Sequence, residues 1–359
     1  MSTFNTERLK QLVGYAIKGA GFDKLLELSR YIGITVSDGM LYLNTTNGTN
    51  FLNVSDSCEA DDMDIVVDAE LFSKLINKIN SDTVDLEVVN NTLFVKGNGK
   101  YTLEIIPNEA GEPLSFPDKF PENTQEIGKL TVADLSVVNT SIKASLSDNV
   151  GSVYSNYYFG DIITSTDRCM ASIFNRKVFD KPYIFNREFI DLMILSGADV
   201  TISQANDVIM AESALSEKCS IAVCTKVNIG ANDFNIDGIN KFAALDATSF
   251  CRVRKAELLD LLDRLSLFVN KFDDGAINLV FKNDGIEITS LASNGIEKIE
   301  FVESKDAKEI SIKINIDRFS KQLKAYSSDM VDLYYGSDVC IKLIDGDVSQ
   351  IIALMKTTK

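Results

Sequence analysis

The residue types that usually carry out chemistry are sparse in this sequence. The 359 residues include no histidine, which excludes Ser-His-Asp and Cys-His nucleophile systems, HExxH zinc sites and histidine general bases. The six cysteines are scattered without a CxxC pair, so buried free thiols are the favoured interpretation. Asp273 and Asp274 are candidates for a catalytic carboxylate pair, but Gly275 follows them and this run is typical of a turn. The sequence therefore predicts no enzyme activity, no metal and no cofactor.

Cationic side chains at helical spacing are a second chemical feature. Lys74 and Lys78 lie one helical turn apart in DAELFSKLINKINSDTVDLEV (68–88), within a chain whose formal net charge is −16. That net charge argues against a surface that binds nucleic acid indiscriminately, whereas lysines confined to one surface attract phosphate groups without reading base sequence. A solvated helix face remains the alternative for each lysine taken singly.

Composition indicates a globular protein of two or three domains, since 45% of the residues are hydrophobic and 25% are charged. No run of 18 apolar residues is present, and the start MSTFNTERLKQL lacks the basic and then apolar layout of a secretory signal. We therefore expect a cytoplasmic protein with no membrane partner.

Segment 68–88 recurs near the end of the chain. A shift of 247 positions aligns it without a gap with NIDRFSKQLKAYSSDMVDLYY (315–335), and 8 of the 15 residues from 72 to 86 are identical. A weaker copy occupies 186–212. Each copy is predicted to form a short amphipathic helix, with the apolar positions of the first at Leu71, Phe72, Leu75, Ile76 and Ile79, followed by antiparallel strands with tight turns.

A related unit of helix and strands precedes each copy, at 6–46, 130–167 and 252–292. The six units pair into three similar domains, so we predict an α+β fold with domains at 1–124, 125–245 and 246–359. Four of the five prolines crowd into 107–121 and mark the first boundary. The second boundary is inferred from the glycine, Asn and Asp content of 230–247.

Four motifs carry a resemblance to a known family: VSDGMLYLNTTN (36–47), YTLEIIPNEAGEPLSFPDKF (101–120), ITSTDRCMA (163–171) and IIALMKTTK (351–359). In this order, and on top of the threefold repeat, they resemble the bacterial DNA polymerase sliding clamp, the β subunit of polymerase III, over essentially the whole chain. Departures from the family's pattern indicate a divergent member, for which a phage is one candidate source.

The resemblance implies an architecture and a function. Members are similar three-domain chains that pair head to tail into a ring, with sheets outside and helices lining a hole around duplex DNA. Such a clamp is a processivity factor: it performs no chemistry, tethers the DNA polymerase, and leaves ring opening to an ATP-driven clamp loader. Its expected location is the cytoplasm, beside the nucleoid, or the host cytoplasm if it is phage-encoded. The alternative is a viral structural or scaffolding protein built from repeated α+β domains.

The DNA-facing surface is predicted from basic residues on the repeated helices, with two loop positions added by the resemblance. The predicted DNA-binding residues are Lys24, Lys74, Lys78, Lys143, Asn149, Arg264, Lys271, Arg318, Lys321 and Lys324. Lys74 is the firmer member of the opening pair because Lys321 matches it in the repeat, whereas Lys78 is matched by Ala325.

The resemblance also implies a hydrophobic pocket between the second and third domains, where partners dock a short peptide. Its predicted residues are Tyr154, Thr166, Asp167, Arg168, Met170, Ala171, Ile239, Phe242, Ile352, Leu354 and Met355. The order Cys169-Met170-Ala171 departs from the family, an alanine where leucine is expected changes the depth of the pocket, and the family's C-terminal proline is missing. The alternative is that the apolar members only fill the core.

Ring closure is predicted to join the last strand of the first domain to the third domain. The predicted interface residues are Tyr101, Leu103, Ile105, Leu267 and Phe268. An edge strand needs a partner, and a second copy of the chain supplies one. The alternative for each residue is again a place in the core.

Overall fold

The computed structural model describes residues 2–23, 25–227, 233–291 and 294–356. Seven α-helices occur in those ranges, numbered in chain order: Thr6–Ala16 (α1), Ala69–Lys78 (α2), Val132–Val137 (α3), Arg187–Met193 (α4), Ile236–Ala243 (α5), Lys255–Ser266 (α6) and Ile316–Ala325 (α7). In these ranges no helix is both long enough and apolar enough to cross a membrane.

Strands make up most of the remaining regular structure. Those of the first 205 residues are Ser2–Asn5 (β1), Tyr31–Ser37 (β2), Met40–Thr46 (β3), Asn50–Ser57 (β4), Met63–Asp68 (β5), Thr83–Val89 (β6), Thr92–Lys96 (β7), Lys100–Glu104 (β8), Gln125–Leu130 (β9), Tyr157–Phe159 (β10), Ile163–Thr166 (β11), Met170–Phe174 (β12), Tyr183–Phe185 (β13) and Val200–Ala205 (β14). The others are Val208–Ser216 (β15), Cys219–Lys226 (β16), Ser249–Arg254 (β17), Ala276–Phe281 (β18), Gly285–Ser290 (β19), Ile296–Glu300 (β20), Glu303–Lys305 (β21), Ile310–Asn315 (β22), Met330–Tyr335 (β23), Cys340–Asp345 (β24) and Val348–Ala353 (β25).

The chain divides into two compact units. The first comprises Met1–Leu135 and Glu188–Val227, and the second comprises Ser136–Arg187 and Asn228–Lys359. The first unit holds an eight-stranded antiparallel sheet in the order β5-β2-β3-β4-β16-β15-β14-β9 and a four-stranded sheet in the order β1-β6-β7-β8. Helices α1 and α2 pack against each other there, and Leu12, Val13, Phe72 and Ile76 are buried.

The second unit repeats this plan. It holds a nine-stranded sheet in the order β13-β10-β11-β12-β25-β24-β23-β17-β21 and a four-stranded sheet in the order β20-β19-β18-β22. Helices α6 and α7 pack together over a core that includes Leu261, Leu265, Phe319 and Leu323. The predicted α+β class is confirmed, while the three domain boundaries remain a prediction because each large sheet joins strands from two predicted domains.

Local sequence explains why the repeated segments fold as helix and strands. Asp68 caps α2 by accepting the Leu71 N–H, and Asn315 caps α7 by accepting the Arg318 N–H, with donor–acceptor distances of 2.8 and 2.9 Å. One of the predicted tight turns joins β6 to β7 at Asn90 and Asn91, and both residues have positive φ, as a tight hairpin requires. The predicted order of elements, a helix followed by antiparallel strands, is therefore confirmed in these two copies.

One position of the predicted apolar helix face is wrong. Leu71 is 54% exposed, whereas Phe72, Ile76 and Ile79 are buried. Leu71 lies at the rim of the buried face and lines a cavity of about 450 Å³ together with Leu103 of β8.

Candidate partner pocket and nucleic-acid interface

A cavity of about 470 Å³ opens beside the turn that joins β11 to β12. Seven of the eleven predicted pocket residues line it: Tyr154, Thr166, Arg168, Met170, Ala171, Ile239 and Phe242. Asn235, Gly238 and Ala353 complete the lining and were not predicted from the sequence. The cavity lies entirely within the second unit.

The turn at 166–170 is held by its own side chains. Asp167 Oδ1 accepts the N–H groups of Cys169 and Met170 at 2.8 and 2.7 Å. Thr166 Oγ1 donates to the Met170 carbonyl at 2.6 Å and accepts the Arg168 N–H at 3.0 Å. Arg168 has a φ of 76°, which is unfavourable for a residue with a side chain, and these hydrogen bonds offset that cost. The turn therefore holds Arg168 at the cavity mouth.

Aromatic side chains form the wall beside Arg168. Its guanidinium lies over the Tyr154 ring, 5.0 Å from the centroid, in a cation–π arrangement. The buried Phe234 meets Tyr154 edge to face at 5.2 Å and stacks on Tyr158 at 5.1 Å. Phe234 supports the pocket from behind and was missed by sequence reasoning, because its contacts lie about 80 residues away along the chain.

Helix α5 forms the opposite wall. The Asn235 side chain caps its start by accepting the Gly238 N–H at 3.0 Å. At its end, Lys342 Nζ donates to the carbonyls of Ala243 and Leu245, which stabilises the C-terminal end of the helix dipole. The two predicted members Ile239 and Phe242 thereby lie over the sheet that carries Ala171.

A second cavity of about 1060 Å³ adjoins the first, since Ala353 lines both. Leu354 and Met355, two predicted pocket residues, line this second cavity with Cys169 and Arg318. Arg318 Nε donates to Asp167 Oδ2 at 3.1 Å, so this predicted DNA-binding residue is tied to the pocket turn.

Ile352 departs from the predicted pocket. It is fully buried, in the core that includes Phe319 and Leu323, because successive residues of a strand point to opposite faces of the sheet. Ala353 takes its place at the cavity. For Ile352 the core-filling alternative is therefore the correct one.

The predicted DNA-binding residues of α2 differ from each other. Lys74 Nζ lies 2.5 Å from Glu70 Oε1, one helical turn earlier, and the hydrogen bond from Lys74 lowers the pKa of Glu70. Lys78 is exposed, and no ion pair involves it among the described residues. The charge of Lys74 is thus partly neutralised within its own helix.

Helix α7 presents its cations differently. Lys321 is half-buried and Lys324 is exposed, and in the described part of the chain neither forms an ion pair. With Arg318 tied to Asp167, these two lysines are the cations of α7 that remain available to a ligand.

Helix α6 carries an acidic exposed face. Arg264 binds Glu297 through Nε at 2.7 Å and a terminal nitrogen at 2.9 Å, which raises the pKa of Arg264 and lowers that of Glu297. Glu257, Asp260 and Asp263 are all exposed on the same helix. Arg264 is therefore poorly placed to attract phosphate, because a carboxylate already occupies its guanidinium.

The remaining predicted DNA-binding residues lie outside these three helices. Lys143 Nζ donates to Asn139 Oδ1 at 3.0 Å, and the exposed Asn149 accepts the Gly151 N–H at 3.2 Å. Lys24 lies outside the described residues. The backbone of Lys271 begins a short 3₁₀ turn, Lys271–Asp273, and its side chain lies outside the described part.

The predicted interface residues fall into two groups. Leu103 and Ile105 are buried inside the first unit, so their side chains belong to its core. Tyr101 is exposed on β8, and among the described strands β8 pairs only with β7. Leu267 and Phe268 are 80% and 51% exposed. Phe272, not predicted, is 94% exposed in the same region.

The carboxylate pair Asp273-Asp274 forms a turn, as the sequence predicts. Asp274 and Gly275 both have positive φ, and Asn315 Nδ2 donates to the Asp274 carbonyl. No cluster of three or more Cys, Asp or Glu side chains suited to a metal ion occurs among the described residues.

Neither a family model nor a curated protein matches this sequence. Solved structures do match in fold over nearly the whole chain. DNA polymerase III subunit beta from Borrelia burgdorferi shares 16% identity with a TM-score of 0.84, and each chain is 99% covered. The same subunit from Pseudomonas aeruginosa shares 15% identity with a TM-score of 0.84, covering 99% of this chain and 100% of that one.

A third structure with this fold is the DNA polymerase sliding clamp from Bacillus subtilis, at 16% identity and a TM-score of 0.82, with 99% of each chain covered. All three matches agree with the resemblance seen in the four motifs. The chain therefore has the fold of the DNA polymerase III beta subunit.

Proposed function

We propose that this chain is a DNA sliding clamp, a processivity factor that encircles duplex DNA as a head-to-tail homodimer and tethers a DNA polymerase. The observation that carries the proposal is the cavity of about 470 Å³. Seven residues chosen from the sequence for a peptide pocket come together there, on a chain with the beta-subunit fold. The scaffolding alternative has no comparable observation in its favour.

The pocket binds a short peptide of the polymerase or of the clamp loader. Met170, Ala171, Ile239 and Phe242 accept apolar side chains, and burial of these side chains provides most of the binding free energy. Arg168 at the mouth donates hydrogen bonds to peptide carbonyl or carboxylate groups. The small Ala171 leaves space at the base for a bulkier anchor.

The ring closes through two strand edges. Strand β8 ends the four-stranded sheet of the first unit, and β20 ends that of the second. Pairing β8 of one copy with β20 of another satisfies both edges, and Tyr101 then meets the exposed Leu267, Phe268 and Phe272. Two such contacts make a closed dimer.

Duplex DNA passes through the hole of the ring, and its binding does not depend on base sequence. Lys78, Lys321 and Lys324 attract phosphates weakly and exchange them freely, which permits sliding. Because the ring is linked topologically to DNA, the tethered polymerase stays at high effective concentration near the primer end. The chain performs no catalysis and works in the cytoplasm, beside the nucleoid or in the cytoplasm of a phage host.

Topological retention on DNA tests this function. The chain is first diluted to separate the two copies, then mixed with a nicked circular plasmid or with the same plasmid linearised and concentrated so that rings close in the presence of DNA without a loader. Retention is measured by gel filtration in 0.3 M salt. We expect retention on the circle and release from the linear form, with a solution mass of twice 39.6 kDa by light scattering.

A pair of variants sharpens the test. Phe268→Asp should abolish both the dimer and retention, because it places a carboxylate in the apolar contact, whereas Val302→Asp, at a 49% exposed position, should change neither. Equal retention on circular and linear DNA, or a strictly monomeric chain, would contradict the proposal.

A further inference from the structure

A separate cavity of about 640 Å³ lies in the first unit, between residues 116–120 and one face of the eight-stranded sheet. Phe116, Asp118 and Phe120 line it from the linker side, and Tyr42, Asp64 and Glu212 are among those that line it from the sheet. We call this cavity the linker groove. None of the sites considered above includes any of its residues.

The linker wall is fixed to the sheet, so the groove is already formed in the free chain. Phe116 lies directly on Gly33, where a Cβ atom would come within 2.5 Å of the Phe116 Cβ. Ser115 Oγ donates to Asp64 Oδ2 at 2.8 Å, and Cys224 Sγ donates to the Lys119 carbonyl at 3.5 Å. A preformed site loses less entropy on binding than one that must be ordered.

The charged side chains that line the linker groove in the described part of the chain are all acidic. Asp64, Asp118 and Glu212 are exposed, and none of them forms an ion pair among the described residues. The described residues that line it include no lysine or arginine. The three carboxylates therefore create a negative potential that favours a cationic ligand.

The position of these carboxylates sets the length of a ligand. Asp64 is on β5 and Glu212 on β15, which are separated by five steps in the sheet order. At about 4.8 Å per step the two strands lie about 24 Å apart. An extended peptide advances about 3.3 Å per residue, so roughly seven residues cross this distance.

The linker groove and the peptide pocket have the same construction. Each lies on a large sheet near a central strand pair, β4 with β16 in the first unit and β12 with β25 in the second. Each is covered by the segment that leads into the next predicted domain. The pocket combines apolar walls with Arg168, whereas the linker groove combines aromatic walls with carboxylates.

We propose that the linker groove binds an extended peptide segment of a partner protein that carries lysine or arginine near both ends. Asp64 and Glu212 pair with the terminal cations, while Phe116, Phe120 and Tyr42 provide apolar and cation–π contacts to the residues between them. This second docking site is independent of the peptide pocket. It does not require that the chain encircle DNA.

A library of random seven-residue peptides, displayed and selected against the immobilised full chain in 50 mM salt, tests the proposal. The most enriched peptides are then synthesised with a fluorescent label and titrated by anisotropy. We expect enrichment of lysine and arginine near both ends, and an affinity that falls at least tenfold between 50 and 300 mM salt.

Three variants assign the binding to a surface. The double variant Asp118→Asn and Glu212→Gln should weaken binding at least tenfold. Glu217→Gln, on the exposed hairpin after β15, and Phe242→Ala, in the peptide pocket, should leave it unchanged. Selection without enrichment of basic peptides, binding that survives the double variant, or binding lost with Phe242→Ala would overturn the proposal. Circular dichroism establishes that each variant is folded.

Discussion

Helices α2 and α7 come from the same repeated sequence, yet they present their charges differently. Phe72 and Phe319 occupy matching positions and are 0% and 1% exposed, so both helices are anchored alike. Glu70 and Asp317 also match in the repeat, but only Glu70 reaches the lysine one turn later, at 2.5 Å. Glu70 is one methylene group longer than Asp317, and we infer that this length allows it to neutralise the following lysine.

The two helices keep the same features on their buried faces and differ on their exposed faces. Three buried positions recur in both helices, 69, 72 and 76 in α2 and 316, 319 and 323 in α7, and a side-chain cap starts each helix, because the fold requires these features. The exposed face is free to change, and here it changes from a paired to an unpaired lysine. We infer that α7 contributes more than α2 to the attraction of DNA by the proposed clamp.

The largest expected effect comes from removing the shared anchor. Phe72→Ala and Phe319→Ala should each lower the free energy of unfolding by about 3–5 kcal/mol, because each leaves a cavity in a packed core. Urea unfolding of both variants checks this. A difference between them of more than about 2 kcal/mol would contradict the view that the two helices are anchored alike.

Neutralising the lysines of α7 is expected to have the next largest effect. The double variant Lys321→Gln and Lys324→Gln should lower the log–log salt dependence of the affinity for linear duplex DNA by about two, since about one counterion is released per phosphate contact. Lys74→Gln should change the slope by much less because Glu70 already pairs with Lys74. Equilibrium titration of a fluorescent linear duplex over a salt series measures both slopes, and equal slopes for the two variants would remove the distinction.

Loss of a helix cap should cost less than loss of an anchor. Asp68→Ala and Asn315→Ala each remove an acceptor for a backbone N–H and should destabilise the chain by about 1 kcal/mol. Thermal unfolding measures the loss. Asp68→Asn and Asn315→Asp, which retain an acceptor, serve as controls and should recover most of the stability.

The smallest and most specific effect is expected from exchanging the two acids. Asp317→Glu should allow pairing with Lys321 and weaken binding to the linear duplex, whereas Glu70→Asp should release Lys74 and strengthen it. A pair of this kind on a helix contributes about 0.2–0.5 kcal/mol, so each change should be about twofold. Changes in the same direction for both variants would show that the acid's length is not the cause.

The structural features that are best predicted from the sequence are those that depend on residues close together in the chain. Helix α2 follows from the spacing of Phe72, Ile76 and Ile79 and from its cap at Asp68, all within one short segment. The pocket turn at 166–170 is also held by nearby residues, because Asp167 accepts hydrogen bonds from residues two and three positions later, but these residues were identified through the family resemblance and the turn was not predicted. Interactions between neighbouring residues are therefore sufficient to specify both parts.

What depends on distant residues could not be predicted. Arg264 is paired with Glu297, 33 residues away, and Arg318 with Asp167, 151 residues away. These ion pairs make both arginines less available to DNA, and the spacing of residues along a helix does not predict them. Strand register decides that Ile352 faces the core and Ala353 faces the cavity, and no local signal reports it. The place of Phe234 in the pocket wall was not predicted either, because it contacts Tyr154, which is distant along the chain.

Photocrosslinking tests most directly whether the exposed faces of these helices meet DNA. The photoreactive residue p-benzoylphenylalanine is placed at 324, at 78 or, as a control on a sheet face, at 212, and each chain is irradiated on nicked circular plasmid. We expect crosslinks to DNA from 324 and 78 and none from 212. Crosslinking from 212 that equals or exceeds that from 324 would contradict the claim that the helices of this chain face the duplex.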